Sequence, residues 1–91
     1  MRANSAFHRA LVQGTHNARL ETMVMLALDQ HDRPLYLGLG IGMDVRPSAD
    51  EHRMIVDAIS ARQPDRARRV MRDHITRGEG RIVAALEAGR Y

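Results

Sequence analysis

The chain reads as an all-α protein, an antiparallel bundle of about four helices within 91 residues. Three observations predict this. Apolar residues recur every three or four positions through most of the chain, Gly14, Pro34, Pro47 and Pro64 punctuate those runs, and three histidines fall on the apolar stripes of three different runs. A first helix is expected from about Arg2 to Gln13, with Asn4, His8, Leu11 and Val12 on one face. Gly14, free to take a positive φ, is its expected cap. A second helix begins near Thr15 to Asn17 and carries Leu20, Met23, Val24, Ala27 and Leu28. It is apolar nearly all round and is expected to be central. Asp29-Gln30-His31-Asp32-Arg33-Pro34 signals its end, because the residue before a proline resists the α region.

From Leu35 the period changes. Leu35, Leu37, Leu39, Ile41, Met43 and Val45 alternate with Tyr36, Gly38, Gly40, Gly42 and Asp44, which predicts a Gly-rich extended or β-like connection over residues 34–47. Gly38-x-Gly40-x-Gly42 is a poor phosphate cradle, having no preceding strand, no helix start behind it and no nearby Lys. Ser48 and Glu51 then have the spacing of a capping box and open a third helix to about Arg62, in which His52 shares its face with Ile55, Val56 and Ile59. Pro64 suits the first position of a long fourth helix to about Ala88. Its stripe is Ala67, Val70, Met71, His74, Ile75, Gly78 and Ile82, with a kink or tight contact expected at Gly78 and Gly80.

Size and composition narrow the classes of function. Residues 1–91 are expected to form a single domain, which buries only about two-thirds of the surface its unfolded chain exposes, so a metal or a second subunit would add useful stability. The absence of cysteine excludes disulfides, thiolate metal sites and thiol nucleophiles. The longest apolar run, Met23 to Leu28, is far too short for a membrane span, and a soluble, cytoplasmic protein is expected. All 14 basic residues are arginine, and against 11 acids they leave a net charge of +3. Arg62, Arg66 and Arg69, with Arg68 and Arg72 beside them, read as a solvated helix face rather than a nucleic-acid surface. Only Phe7, Tyr36 and Tyr91 are aromatic, so no stacking platform exists.

The histidines carry the chemistry. A single His on an apolar stripe reads as a core histidine bonded to a backbone carbonyl. Three buried imidazoles would each need a partner, and one shared ion would satisfy them all. Spacing leaves both readings open for His8, His52 and His74.

Four blocks bear on that choice: Asn4-Ser5-Ala6-Phe7-His8-Arg9-Ala10-Leu11, Asn17-Ala18-Arg19-Leu20, the run from Glu51 to Ile59, and the run from Ala67 to His74. In order and spacing they resemble the FCD effector-binding domain, the C-terminal half of the FadR-type branch of GntR bacterial transcription regulators. The resemblance implies a helical bundle whose core holds a divalent metal, with the ligand roles falling on Asn4, His8, His52 and His74. It also implies that a small organic acid completes the coordination, and that its binding changes how the winged-helix domains of a dimer sit on operator DNA. The likeness begins at the family's first metal-ligand helix. No winged-helix domain or earlier bundle helix is therefore expected in this chain, nor duplex binding by this chain alone. Residues 34–43 depart from the family, which usually continues in helix there.

Three imidazoles and an amide oxygen suit zinc or nickel and leave coordination positions open for a carboxylate. Such an ion can also activate water, so a metal-dependent hydrolase is the main rival, with Glu51 the nearest base in sequence. A metal-free helical interaction module is the third reading. Apolar surface on the first and fourth helices, together with the alternating Leu35 to Val45 segment, predicts a homodimer or larger even-numbered assembly.

Overall fold

The computed structural model describes residues 2–89, which form four α-helices and no strand; Tyr91, one of the three aromatics, lies outside them. Among the described residues, those up to Leu37 group into one compact unit and those from Gly38 onward into a second.

In the first unit α1 spans Arg2–Gln13, as its periodicity predicts. The positive φ that ends it belongs to His16 (φ 53°) rather than Gly14. Gly14 instead sits close under the preceding turn, where a Cβ would come within 3.3 Å of the Leu11 carbonyl oxygen. The Thr15 hydroxyl donates to the Val12 carbonyl at 2.6 Å, closing the turn. Asn17 then caps α2, its side-chain oxygen accepting the Leu20 N–H at 3.0 Å. The Ser5 hydroxyl donates to Asp32 at 3.3 Å, tying α1 to α2.

α2 spans Ala18–Gly40 and corrects two expectations. It does not stop before Pro34 but carries that proline inside, so the Gly-rich stretch through Gly40 is helical rather than extended. The alternation misleads because apolar residues occupy every second position, which also fills a helical face: Leu35 and Leu39 are half-buried and Gly38 is buried, while Tyr36 and Leu37 are exposed. Nor is α2 covered on all sides, since Met23 and Leu26 are 67% and 61% exposed. The second unit begins with the end of this helix. Met43 N–H donates to Gly38 O at 3.0 Å and Gly42 N–H to Leu39 O at 3.1 Å, a Schellman closure around Gly42 at φ +92°. Gly38 is crowded as well, because a Cβ there would approach the Met43 sulfur to 3.2 Å.

α3 spans Arg46–Ser60 with Val45 as its N-cap residue. Pro47 lies in the first turn, so the helix starts earlier than Ser48 and the expected capping box does not form. Asp44 supplies the cap from outside the helix, accepting the Arg46 backbone N–H at 3.0 Å and gripping its guanidinium at 2.8 Å. That side-chain bond holds the Asp44 carboxyl down at about 2. A three-residue turn closed by Arg62 at φ 56° leads to α4, Pro64–Ala88, whose bounds match the expectation. α4 runs unbroken through Gly78 and Gly80, and the expected tight contact is absent there: a Cβ at Gly78 would meet only the Arg81 guanidinium, at 3.7 Å, and one at Gly80 nothing within 4 Å. Arg68, Arg69, Arg72 and Arg77 are exposed, with Arg68 paired to Asp65 at 3.3 Å.

α3 and α4 pack as a hairpin around Ile55, Ala58, Val70 and Ile82. The buried face of α3 is Glu51, Ile55 and Ala58, rotated from the expected one: Val56 and Ile59 are exposed. On α4, Val70, His74 and Ile82 are buried as expected, while Ile75 turns outward.

Two glycines give opposite expected outcomes. Gly80 has nothing within 4 Å of an added Cβ, so Gly80→Ala should stabilise by about 1 kcal/mol, a rise in Tm of about 4–8 °C. Gly42→Ala, at φ +92°, should cost about 1 kcal/mol. Thermal melts of the two variants check both signs.

Candidate metal centre

α3 and α4 place Glu51, His52, His74 and Arg81 together inside the second unit. Glu51 begins the inward face of α3 and is 8% exposed, so its carboxylate must find partners within the protein. Arg81 supplies two of them: Nη2 donates to Oε1 at 2.6 Å and Nη1 to Oε2 at 2.9 Å, the fork geometry of a charge-assisted bidentate pair. His74, 6% exposed, supplies the third through Nδ1, 2.8 Å from Oε1. His52, half-buried, turns its Nε2 to within 3.2 Å of His74 Nε2, with the two rings edge to face.

The electrostatics follow from these contacts. Burial pushes the Glu51 carboxyl up, but the bonds from Arg81 and His74 outweigh it and hold the group below its ordinary 4.5. Glu51 in turn raises Arg81. His52 is held below its ordinary 6.5 by burial first and by His74 second, with Glu51 opposing. A neutral imidazole is the form that donates a lone pair to a metal, so this direction suits a ligand.

The chemistry of this pair fits a metal. Two imidazole nitrogens bound to one tetrahedral ion at about 2.0–2.1 Å stand roughly 3.3 Å apart, close to the 3.2 Å between the two Nε2 atoms. A carboxylate behind the second nitrogen of one ring is the usual support of a metal-bound histidine. Of the four residues expected at a metal, His52 and His74 are brought together here. Asn4 and His8 lie in the first unit, one turn apart on α1 and both half-buried, with Phe7 edge-on to the His8 ring at 5.2 Å.

Sequence reasoning missed Glu51 as the support of this site and missed Arg81 altogether. The signal was present for Glu51, because it stands four residues before Ile55 and seven before Ala58, on the stripe that proves to be buried.

Residues 1–77 match the family model described as FCD domain. A probable D-xylose utilization operon transcriptional repressor from Paenarthrobacter nicotinovorans is 29% identical over 102 aligned residues, which cover 94% of this chain and 41% of the relative. The chain thus spans about two fifths of that curated relative's length. No solved structure matches.

A pH titration of stability checks the site in chelator-treated protein. Below about pH 6.5 the unfolded chain takes up a proton at His52 that the folded chain resists, so stability should begin to fall there. Below about 4.5 the Glu51 carboxyl protonates first in the unfolded chain, and a second loss should follow. His52→Gln should flatten the first slope and Glu51→Gln the second, as read by denaturant midpoints at each pH.

Proposed function

The chain belongs to the FCD domain family, and on that premise we propose that it is the effector-binding and dimerisation part of a GntR/FadR-type transcription regulator, binding a divalent metal and a small carboxylate. The observation that carries this reading is the His52–His74 pair backed by Glu51, a donor arrangement suited to a borderline metal such as zinc or nickel. His8 and Asn4 would complete the ligand set, as the family's motif assigns them. When bound, the ion supplies a Lewis-acid centre with open positions for an anion. This chain's own residues then set the preference: Asn4, standing where an Asp would also serve, leaves the site one charge more positive and so favours a di- or tricarboxylate.

Catalysis is the weaker reading. Water activation needs a carboxylate free to take a proton, and Glu51 accepts from Arg81 and faces His74 with the same oxygens. Control of an operon, the role in the relative's name, would belong to a longer protein whose other parts touch DNA. No specific duplex binding is expected of this chain alone. No helix among the described residues is long and apolar enough to cross a membrane. The apolar side chains exposed on α2, Met23 and Leu26 foremost, favour association into a homodimer or larger even assembly.

Metal analysis after loading with zinc or nickel should give one ion per chain. In competition titrations, Asn4→Asp should tighten the metal and His52→Ala should weaken it more than about 100-fold, since a ligand counts for more than its outer support. Equal affinity in all three proteins would defeat the ligand assignment. Small di- and tricarboxylates should raise Tm only in the metal-loaded protein, and equal stabilisation after chelation would move their binding elsewhere. Light scattering should find a dimer or larger even species at micromolar concentration, and a persistent monomer would count against association.

A further inference from the structure

Glu51 and Arg81 lie outside the ligand set, yet their geometry constrains one of its members. Both Glu51 oxygens accept from the Arg81 fork, at 2.6 and 2.9 Å. A carboxylate engaged in that way has no O–H to offer. The hydrogen in the 2.8 Å contact between Glu51 Oε1 and His74 Nδ1 must therefore come from the ring. A neutral His74 protonated at Nδ1 leaves Nε2 as its unprotonated nitrogen, the one that faces His52 Nε2 at 3.2 Å.

We propose that Glu51 and Arg81 act as a positioning pair: Arg81 holds Glu51, and Glu51 fixes His74 in the Nδ1–H form with its Nε2 lone pair presented as a metal ligand. The ligand role of Nε2 rests on the metal reading above, whereas the tautomer does not. Free neutral imidazole in a histidine favours the opposite form, protonated at Nε2. Without the pair, His74 would have to change tautomer before donating to a cation. Arg81 matters because a lone buried carboxylate would protonate or turn toward water, and the guanidinium fork prevents both.

The test begins with the wild type, metal-free and 15N-labelled on histidine, near pH 7.5. Long-range 1H–15N spectra should find His74 protonated at Nδ1, and an Nε2–H signature would overturn the proposal. The double variant Glu51→Met/Arg81→Met removes the pair without leaving a buried charge, an exchange that buried ion pairs often tolerate. In this variant His74 should revert to Nε2–H, and zinc affinity by competition should fall about 10–100-fold. Arg81→Lys, which keeps the charge but not the fork, should fall between the two. A folded double variant that keeps Nδ1–H, or that binds zinc as tightly as the wild type, would overturn the positioning role. If the wild type takes up no zinc, the metal reading falls, and the tautomer spectra still decide what Glu51 and Arg81 do.

Discussion

One buried carboxylate organises the second unit. Glu51 sits at the inner face of α3 with almost no access to water, and its charge is tolerable only because α4 delivers Arg81 and His74 to it from two turns apart. The apolar contacts around Ile55, Ala58, Val70 and Ile82 are non-directional and would accept more than one alignment of the two helices. The ionic fork would not. Sliding α4 by one turn would strand the Glu51 charge in the interior, and an unpaired buried ion costs about 3–5 kcal/mol. Register, ring orientation and the approach of His52 to His74 all depend on that single constraint.

The same group explains where the sequence was legible and where it was not. α1 and α4 could be read because their apolar period, their flanking glycine and proline and their lengths agree. α2 could not be read past Pro34, because proline and three glycines each argue locally for a break while the helical face through Leu35, Gly38 and Leu39 argues against one, and packing decided the matter. Glu51 was obscured by a coincidence of spacing. Ser48-x-x-Glu51 has the form of a capping box, but Pro47 draws the helix start back to Val45, which moves Ser48 into the first turn and frees Glu51 for the interior. The stripe of α3 was displaced for the same reason, since a reading that sends Glu51 to the surface must turn Val56 and Ile59 inward.

His74 lies on the buried stripe of α4 as its spacing predicts, whereas His52 was read on a stripe of α3 that proves exposed at Val56 and Ile59, and the structure adds what spacing cannot encode: which nitrogen of each ring faces which neighbour. Arg81 left no trace in the sequence, because one arginine among 14 carries no mark of burial. A chain with so few aromatics builds its interior from small aliphatic side chains and polar groups that satisfy one another. Among the described residues no buried side-chain nitrogen or oxygen lacks a partner.

Pro34 has a consequence of a different kind. It removes one N–H from the interior of α2, so the Gln30 carbonyl loses its rung and the ring crowds the turn before it. Helices ordinarily fray from their ends, but α2 is closed at one end by the Asn17 cap and at the other by the turn around Gly42. The gap in the ladder therefore lies in the interior of the helix, out of reach of either closure. Around Gln30 and Pro34 the helix is held by the bonds of the neighbouring turns and by side-chain packing, not by a rung of its own.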